Sequence, residues 1–257
     1  MTRVLVAVKR VVDVAGDVVL TDDEQGLDGR YAGHTMSDHD ACAIELAIQV
    51  AESDGGSVTV VSVGPPEAMD QIRAALALGA HRAVLVETDP LMLGPADVAA
   101  ELAAVVADAE SAGEPYDLVL AGNDAADTGD FQVPIRLAHA LVRPIVTGAA
   151  TLEVHGRTVV ATVNGPAGTD TYEVPLPAVA SVLEGGTSPR YPTLKGRMAA
   201  KKVEVEVREP VSVAPRGSGR VRWQVPAPPP SSTELLGEGP QAAPAVVETL
   251  RSLEVLR

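Results

Sequence analysis

The first 125 residues alternate short valine-rich runs with longer stretches of helical period, and few architectures accommodate that alternation. It is the pattern of βαβ units wound around a mainly parallel sheet. The spacing predicts strands over 3–8, 57–63, 82–87 and 117–121. Between the first two, Ile44, Ala47, Ile48 and Ala51 recur at i, i+3, i+4 and i+7, with Glu45, Gln49 and Glu52 on the opposite face. This predicts an amphipathic helix over 38–52, capped by Ser37 or Asp38. Residues 66–78, behind Pro65 and Pro66, and residues 96–110 repeat the pattern and supply two further helices to cover the sheet.

From about residue 144 the pattern becomes strand-like, over 154–163 and 171–183, joined by Gly165-Pro166-Ala167-Gly168, a sequence suited to a hairpin turn. An antiparallel addition to the sheet is expected there. Beyond residue 207 proline and glycine accumulate, at Pro210, Pro215 and Pro228 to Pro230, before helical spacing returns through Val247, Leu250, Leu253 and Leu256. The expected organisation is an α/β domain over 1–207 and an extended arm over 208–257 whose terminal helix packs on a partner subunit.

Composition narrows the function. A formal charge of −15 repels phosphodiester backbones and anionic lipid, and an aromatic content of 2% leaves little for base stacking. Neither nucleic acid nor membrane insertion is expected. The N-terminal run Val4 to Val8 is too short for a signal sequence, and no segment reaches the roughly 18 apolar residues of a membrane span. With Cys42 as the single cysteine, a reducing, cytoplasmic setting is expected. Cys42 itself falls inside the first helix and reads as a small buried hydrophobe.

No metal, nucleophile-elbow or standard phosphate-loop motif occurs, so neither an active site nor a metal site is expected. What remains is the segment Gly122-Asn123-Asp124-Ala125-Ala126-Asp127-Thr128-Gly129-Asp130-Phe131-Gln132-Val133, which leaves a strand and opens a helix. In open α/β sheets that is where ligands sit, with small residues admitting a phosphate to backbone N–H groups. An ordinary polar loop with Asp130 as a helix cap accounts for the same residues. The aspartates oppose an anionic ligand unless their carboxylates point away from it.

Val4 to Asp13, the strand end Val61 to Pro65, and Ala74 to Ala83 resemble, in order and spacing, the β subunit of electron transfer flavoprotein. The most specific stretch is Pro189-Arg190-Tyr191-Pro192-Thr193-Leu194 followed by Met198-Ala199-Ala200-Lys201-Lys202. The resemblance covers roughly 1–207. It implies a Rossmann-like, doubly wound fold of the adenine nucleotide α-hydrolase-like kind. It also implies a heterodimer in which an α subunit holds most of the FAD, while the β subunit binds AMP and receives the electron-donating dehydrogenase.

Carried over by position, the implied nucleotide site is Ala7, Ser37, Asp38, His39, Asp40, Val63 and the loop from Gly122 to Val133. The implied docking segment comprises Arg190, Tyr191, Leu194, Lys195, Arg197, Lys201 and Lys202, with Leu194 as its apolar knob. The chain departs from the family at Ser37-Asp38-His39, where Asn-Pro-Phe is common, at Val14, where an aromatic is frequent, and over Thr128 to Phe131. In a bifurcating subgroup a second FAD takes the place of AMP. Two other readings compete: a stand-alone ATP-binding regulatory module of the universal-stress type, which leaves 189–202 without a role, and a small-molecule enzyme.

Overall fold

A computed structural model describes all residues except 14–18, 29, 31, 32, 212, 213, 228, 229, 232 and 257. Met1–Trp223 and Gln224–Arg257 are separate compact units. The expected boundary at 207 thus lies inside the first unit, and Val14 lies outside the described residues.

The first unit is built on a nine-stranded sheet. Its strands are β1 (Arg3–Ala7), β4 (Ser57–Gly64), β5 (Arg82–Glu87), β6 (Leu118–Gly122), β7 (Ile145–His155), β8 (Thr158–Gly165), β9 (Gly168–Pro175), β10 (Ala178–Val182) and β11 (Val205–Arg208). Their spatial order is β11-β5-β4-β1-β6-β10-β7-β8-β9. The run from β11 to β7 is parallel, and β8 and β9 continue it antiparallel. A separate antiparallel ribbon pairs β2 (Arg10–Val12) with β3 (His34–Met36).

Period two along the strands divides the core. Val4, Val6, Val58, Val60, Leu118 and Leu120 pack on one face with α1 (Asp38–Asp54) and α2 (Met69–Leu78). Leu5, Val61, Val84, Val119 and Val179 pack on the other with α3 (Pro95–Ser111) and α4 (Val133–Leu141). Helices on both faces of a parallel sheet make the fold doubly wound and Rossmann-like, as expected.

Local chemistry sets the helix boundaries. The Ser37 hydroxyl accepts from the Asp40 N–H at 3.1 Å and starts α1. Pro95 opens α3, where the Asp97 carboxylate accepts from the Gly94 N–H at 2.8 Å.

Three expectations are corrected. The strand expected over 154–163 is the end of β7 and most of β8, because the chain turns at Gly156 and Arg157. The strand expected over 171–183 is also two strands. Pro175 and Pro177 have no N–H to donate, so the β9 ladder ends and the chain re-enters the parallel sheet as β10. Glu45 is not on a solvated face but only 5% exposed, covered by Arg190. The connection before β11 contains a further short helix, α5 (Leu194–Ala200), capped by the Thr193 hydroxyl accepting from the Gly196 N–H at 3.0 Å.

The segment after β11 also folds onto the first unit. Arg208 pairs with Asp108, and the Val211 N–H donates to the buried Glu101 carboxylate at 2.8 Å. The second unit contains α6 (Ala243–Ser252), in which Val246 and Val247 are exposed. Among the described residues no helix is long and apolar enough to cross a membrane.

Leu120 is fully buried and Leu194 is 78% exposed, which separates core from surface energetically. Leu120→Ala is expected to cost about 2–5 kcal/mol in urea unfolding, and Leu194→Ala less than about 0.5 kcal/mol.

Candidate functional site

The neighbours of β1 are β4 on one side and β6 on the other, and their connections run to opposite faces of the sheet. At such a switch point the loops leaving the carboxyl ends part and open a crevice. Here the crevice is a cleft with about 1010 Å³ of empty space, its open mouth included. Its floor is apolar, formed by Ala7, Val61, Val63 and Ala121 with Val98 and Leu102 of α3. One rim is the start of α3. The other is the loop after β6 and the start of α4.

Asp40 ties these parts together. It is 6% exposed, and its two carboxylate oxygens accept from the Lys9 N–H at 2.9 Å and the Gly122 N–H at 3.0 Å. One side chain at the start of α1 therefore holds the segments leaving β1 and β6. Gly122 permits this approach, since a Cβ there would stand 2.4 Å from Asp40 Oδ1. Burial pushes the Asp40 pKa up to about 7, against the opposing pull of the two backbone N–H groups.

The loop after β6 has its own internal order. Asn123 donates its N–H to the Val182 carbonyl at 2.9 Å, and its side-chain oxygen accepts from the Ser181 hydroxyl at 2.6 Å. The Asp124 carboxylate accepts from the Ala125 N–H at 2.7 Å, and Asp127 pairs with Lys9 at 2.6 Å. Two of the aspartates are thus occupied by the loop or by Lys9. Gly129 (φ 60°) and Phe131 (φ 54°) are both left-handed, and Gln132 returns to right-handed geometry. Alternation of that kind turns successive N–H groups toward one point, a concavity suited to an anion. Among the described residues, the N–H groups of Phe131, Gln132 and Val133 have no acceptor.

Of the residues implied for the nucleotide site, Ala7, Asp40, Val63, Gly122 to Ala125, Thr128 and Asp130 to Val133 line the cleft. The rest lie behind or beside it. Ser37 caps α1, and Asp38 and Ala126 are exposed. Asp127 neutralises Lys9, Gly129 bends the loop, and His39 Nδ1 accepts from the Glu184 N–H at 3.0 Å. Sequence reading missed Gly94, Pro95, Ser218 and Arg220 on the α3 side. No local motif marks them.

A second surface is formed by the segment before β11. Arg190 does not project as a free cation. It makes hydrogen bonds of 2.9 and 3.0 Å to Glu45 and of 2.7 and 3.0 Å to Glu52, both on α1, and its backbone N–H donates to Glu45 at 3.0 Å. Burial alone would raise the Glu45 carboxyl, but the hydrogen bonds from Arg190 and Gln49 outweigh it and hold the pKa below its ordinary value. This clamp presents Tyr191 (93% exposed) and Leu194, with Met198 one turn further along α5. Lys195, Arg197, Lys201 and Lys202 are exposed around them. Cys42 is buried, as expected, and among the described residues no cluster of side chains is arranged to hold a metal.

The electron transfer flavoprotein domain family matches residues 27–213. The chain is 40% identical over 205 residues to an electron transfer flavoprotein subunit beta of Syntrophomonas wolfei, covering 79% of this chain and 78% of that protein. It is 36% identical over 212 residues to the subunit of the same name from Mycobacterium leprae (80% and 79% covered) and to the human one (81% of each). These matches set aside the stand-alone regulatory module and the small-molecule enzyme.

Asp40 also yields a pH dependence. A pKa raised from 3.8 to about 7 means that between those values the folded chain binds more proton than the unfolded chain. The Asp40 contribution to stability is therefore full below about pH 4 and is lost as pH rises toward 7. Urea unfolding of the unmodified chain and of Asp40→Asn should show the former losing stability relative to the latter between pH 4 and pH 7.5. A constant difference would contradict the assignment. In both its matched domain and its relatives, the chain belongs to the electron transfer flavoprotein family and is of the β-subunit type.

Proposed function

We propose that this chain is the nucleotide-binding and docking half of a heterodimeric electron carrier. It pairs with an α subunit that holds most of the FAD, binds AMP in its own cleft, and receives an electron-donating dehydrogenase at the segment around Leu194. The observation that carries the nucleotide reading is the left-to-right alternation at Phe131 and Gln132, beside three N–H groups without an acceptor at the rim of an apolar cleft. A phosphate at those groups and an adenine over the valine and alanine floor satisfy both halves of the site.

Phe131 supports this assignment because a non-glycine residue at φ 54° carries strain that functional loops tend to retain. FAD bound to the α subunit supplies the redox chemistry. This chain's residues bind, orient and dock, and none of them is assigned a reacting group. The unpartnered Val246 and Val247 of the second unit are assigned to contact with the α subunit.

Co-production with an α subunit of the family should yield a yellow heterodimer that releases AMP on heat denaturation, read by chromatography. Release of FAD in excess of one per heterodimer would favour the bifurcating type, and a colourless monomer that takes up ATP would overturn the proposal. Gly129→Val places a β-branched residue in left-handed geometry and should lower bound nucleotide several-fold while the protein stays folded. Unchanged nucleotide stoichiometry would refute that role for the loop.

The docking assignment rests on Leu194, an exposed apolar side chain ringed by exposed cations and braced from behind by Arg190. An apolar knob contributes when a partner pocket desolvates it, and the cations steer the encounter. Leu194→Ala is expected to slow reduction by the dehydrogenase at least tenfold, with flavin content and thermal stability unchanged. An unmodified rate in stopped-flow reduction would remove the assignment.

A further inference from the structure

Residues 214–223 form a strap over the start of α3. The two oxygens of the buried Asp97 accept from the Arg216 N–H at 2.8 Å and the Gly217 N–H at 2.9 Å. The strap lies so close that a Cβ on Gly94 would stand 2.1 Å from the Gly217 carbonyl oxygen. At its far end the Trp223 N–H donates to the Glu24 carbonyl at 2.8 Å. Between these anchors, the Arg220 N–H donates to the Ser218 hydroxyl at 3.2 Å, and both residues line the cleft together with the loop after β6.

The charges lining the cleft make Arg220 conspicuous. Asp40, Asp124 and Asp130 are carboxylates on the lining, and the cationic side chains there are Lys9 and Arg220. Lys9 is committed to Asp127. Arg220 is half-buried, its guanidinium 4.8 Å from the centre of the Trp223 ring, and no carboxylate among the described residues pairs with it. Stacking on an indole fixes a guanidinium in plane while leaving its N–H groups available. A phosphate monoester entering a cleft that already holds carboxylates requires a compensating cation, because backbone dipoles alone carry only partial charge.

We propose that Arg220 contacts the phosphate of the nucleotide bound in the cleft and sets its preference for phosphorylated over unphosphorylated adenosine. The strap anchored on Asp97 and the stacking on Trp223 position it. The inference rests on the nucleotide reading above, and its test separates the two.

Binding of AMP and of adenosine to the full-length protein, purified and stripped of nucleotide, is measured by calorimetry. The unmodified protein should prefer AMP. Arg220→Gln should weaken AMP by about ten- to hundredfold, the range of a charge-assisted hydrogen bond, and leave adenosine unchanged. The dependence of AMP affinity on sodium chloride should become shallower in that variant, and Arg220→Lys should restore part of the loss. Equal loss for both ligands, or undiminished AMP binding by Arg220→Gln, would overturn the assignment of Arg220 while leaving the nucleotide site standing. An unmodified protein that binds neither ligand would overturn the nucleotide reading and this inference with it.

Discussion

The cleft depends on one carboxylate. Asp40 accepts from the backbone of Lys9 and of Gly122, and so holds the two loops that part at the centre of the sheet at a fixed distance. The pairing between β1 and β6 ends at Ala7 and Ala121, and beyond it each chain is held only on its outer side, Val8 by Val61 and Asn123 by Val182. A buried side chain with two acceptor oxygens closes that gap. Leaving either N–H unpaired would cost on the order of 1–3 kcal/mol, so the pair also fixes the register of α1 against the sheet. The elevated pKa is the electrostatic cost of placing an ionisable group there.

The central fold was legible because valine alternation and helical spacing report burial directly. Strands β1, β4, β5 and β6 and helices α1 and α3 lie within a residue or two of where periodicity places them. The antiparallel part was less legible. A continuous run of β-forming residues does not show where a strand reverses, and the breaks at Gly156 and between Pro175 and Pro177 depend on single residues. The loop after β6 was readable as cleft lining from its place between strand and helix. The α3 side was not, because Ser218 and Arg220 arrive from residues about a hundred positions distant in sequence, through contacts to Asp97 that no local pattern encodes.

Acidic residues in helices illustrate the same limit. Glu45 occupies a position that a helical wheel assigns to the solvated side, yet it is buried, and so are the helical carboxylates Asp97 and Glu101. In each case later chain crosses the helix and offers N–H groups to the carboxylate: Arg190 to Glu45, Arg216 and Gly217 to Asp97, Val211 to Glu101. Burial of a carboxylate is tolerable when such donors replace water. The wheel sees the helix alone, whereas these residues are chosen for the segment that lies over it. A large excess of negative charge in the sequence is thus partly structural, since some of it works as internal acceptors for the returning chain.

Helix α1 carries Asp40 in its first turn and Glu45 and Glu52 further along, so a single rod of backbone touches both the cleft and the clamp behind Tyr191 and Leu194. A length of 17 residues at 1.5 Å rise makes it about 25 Å long. The cleft and the exposed surface around Leu194 are therefore both held by one helix. An insertion or deletion within α1 would rotate Glu45 and Glu52 by about 100° per residue relative to Asp40, and would misalign one surface in restoring the other. The relative placement of the cleft and of the surface at residues 191–202 is thus tied to the length of this helix.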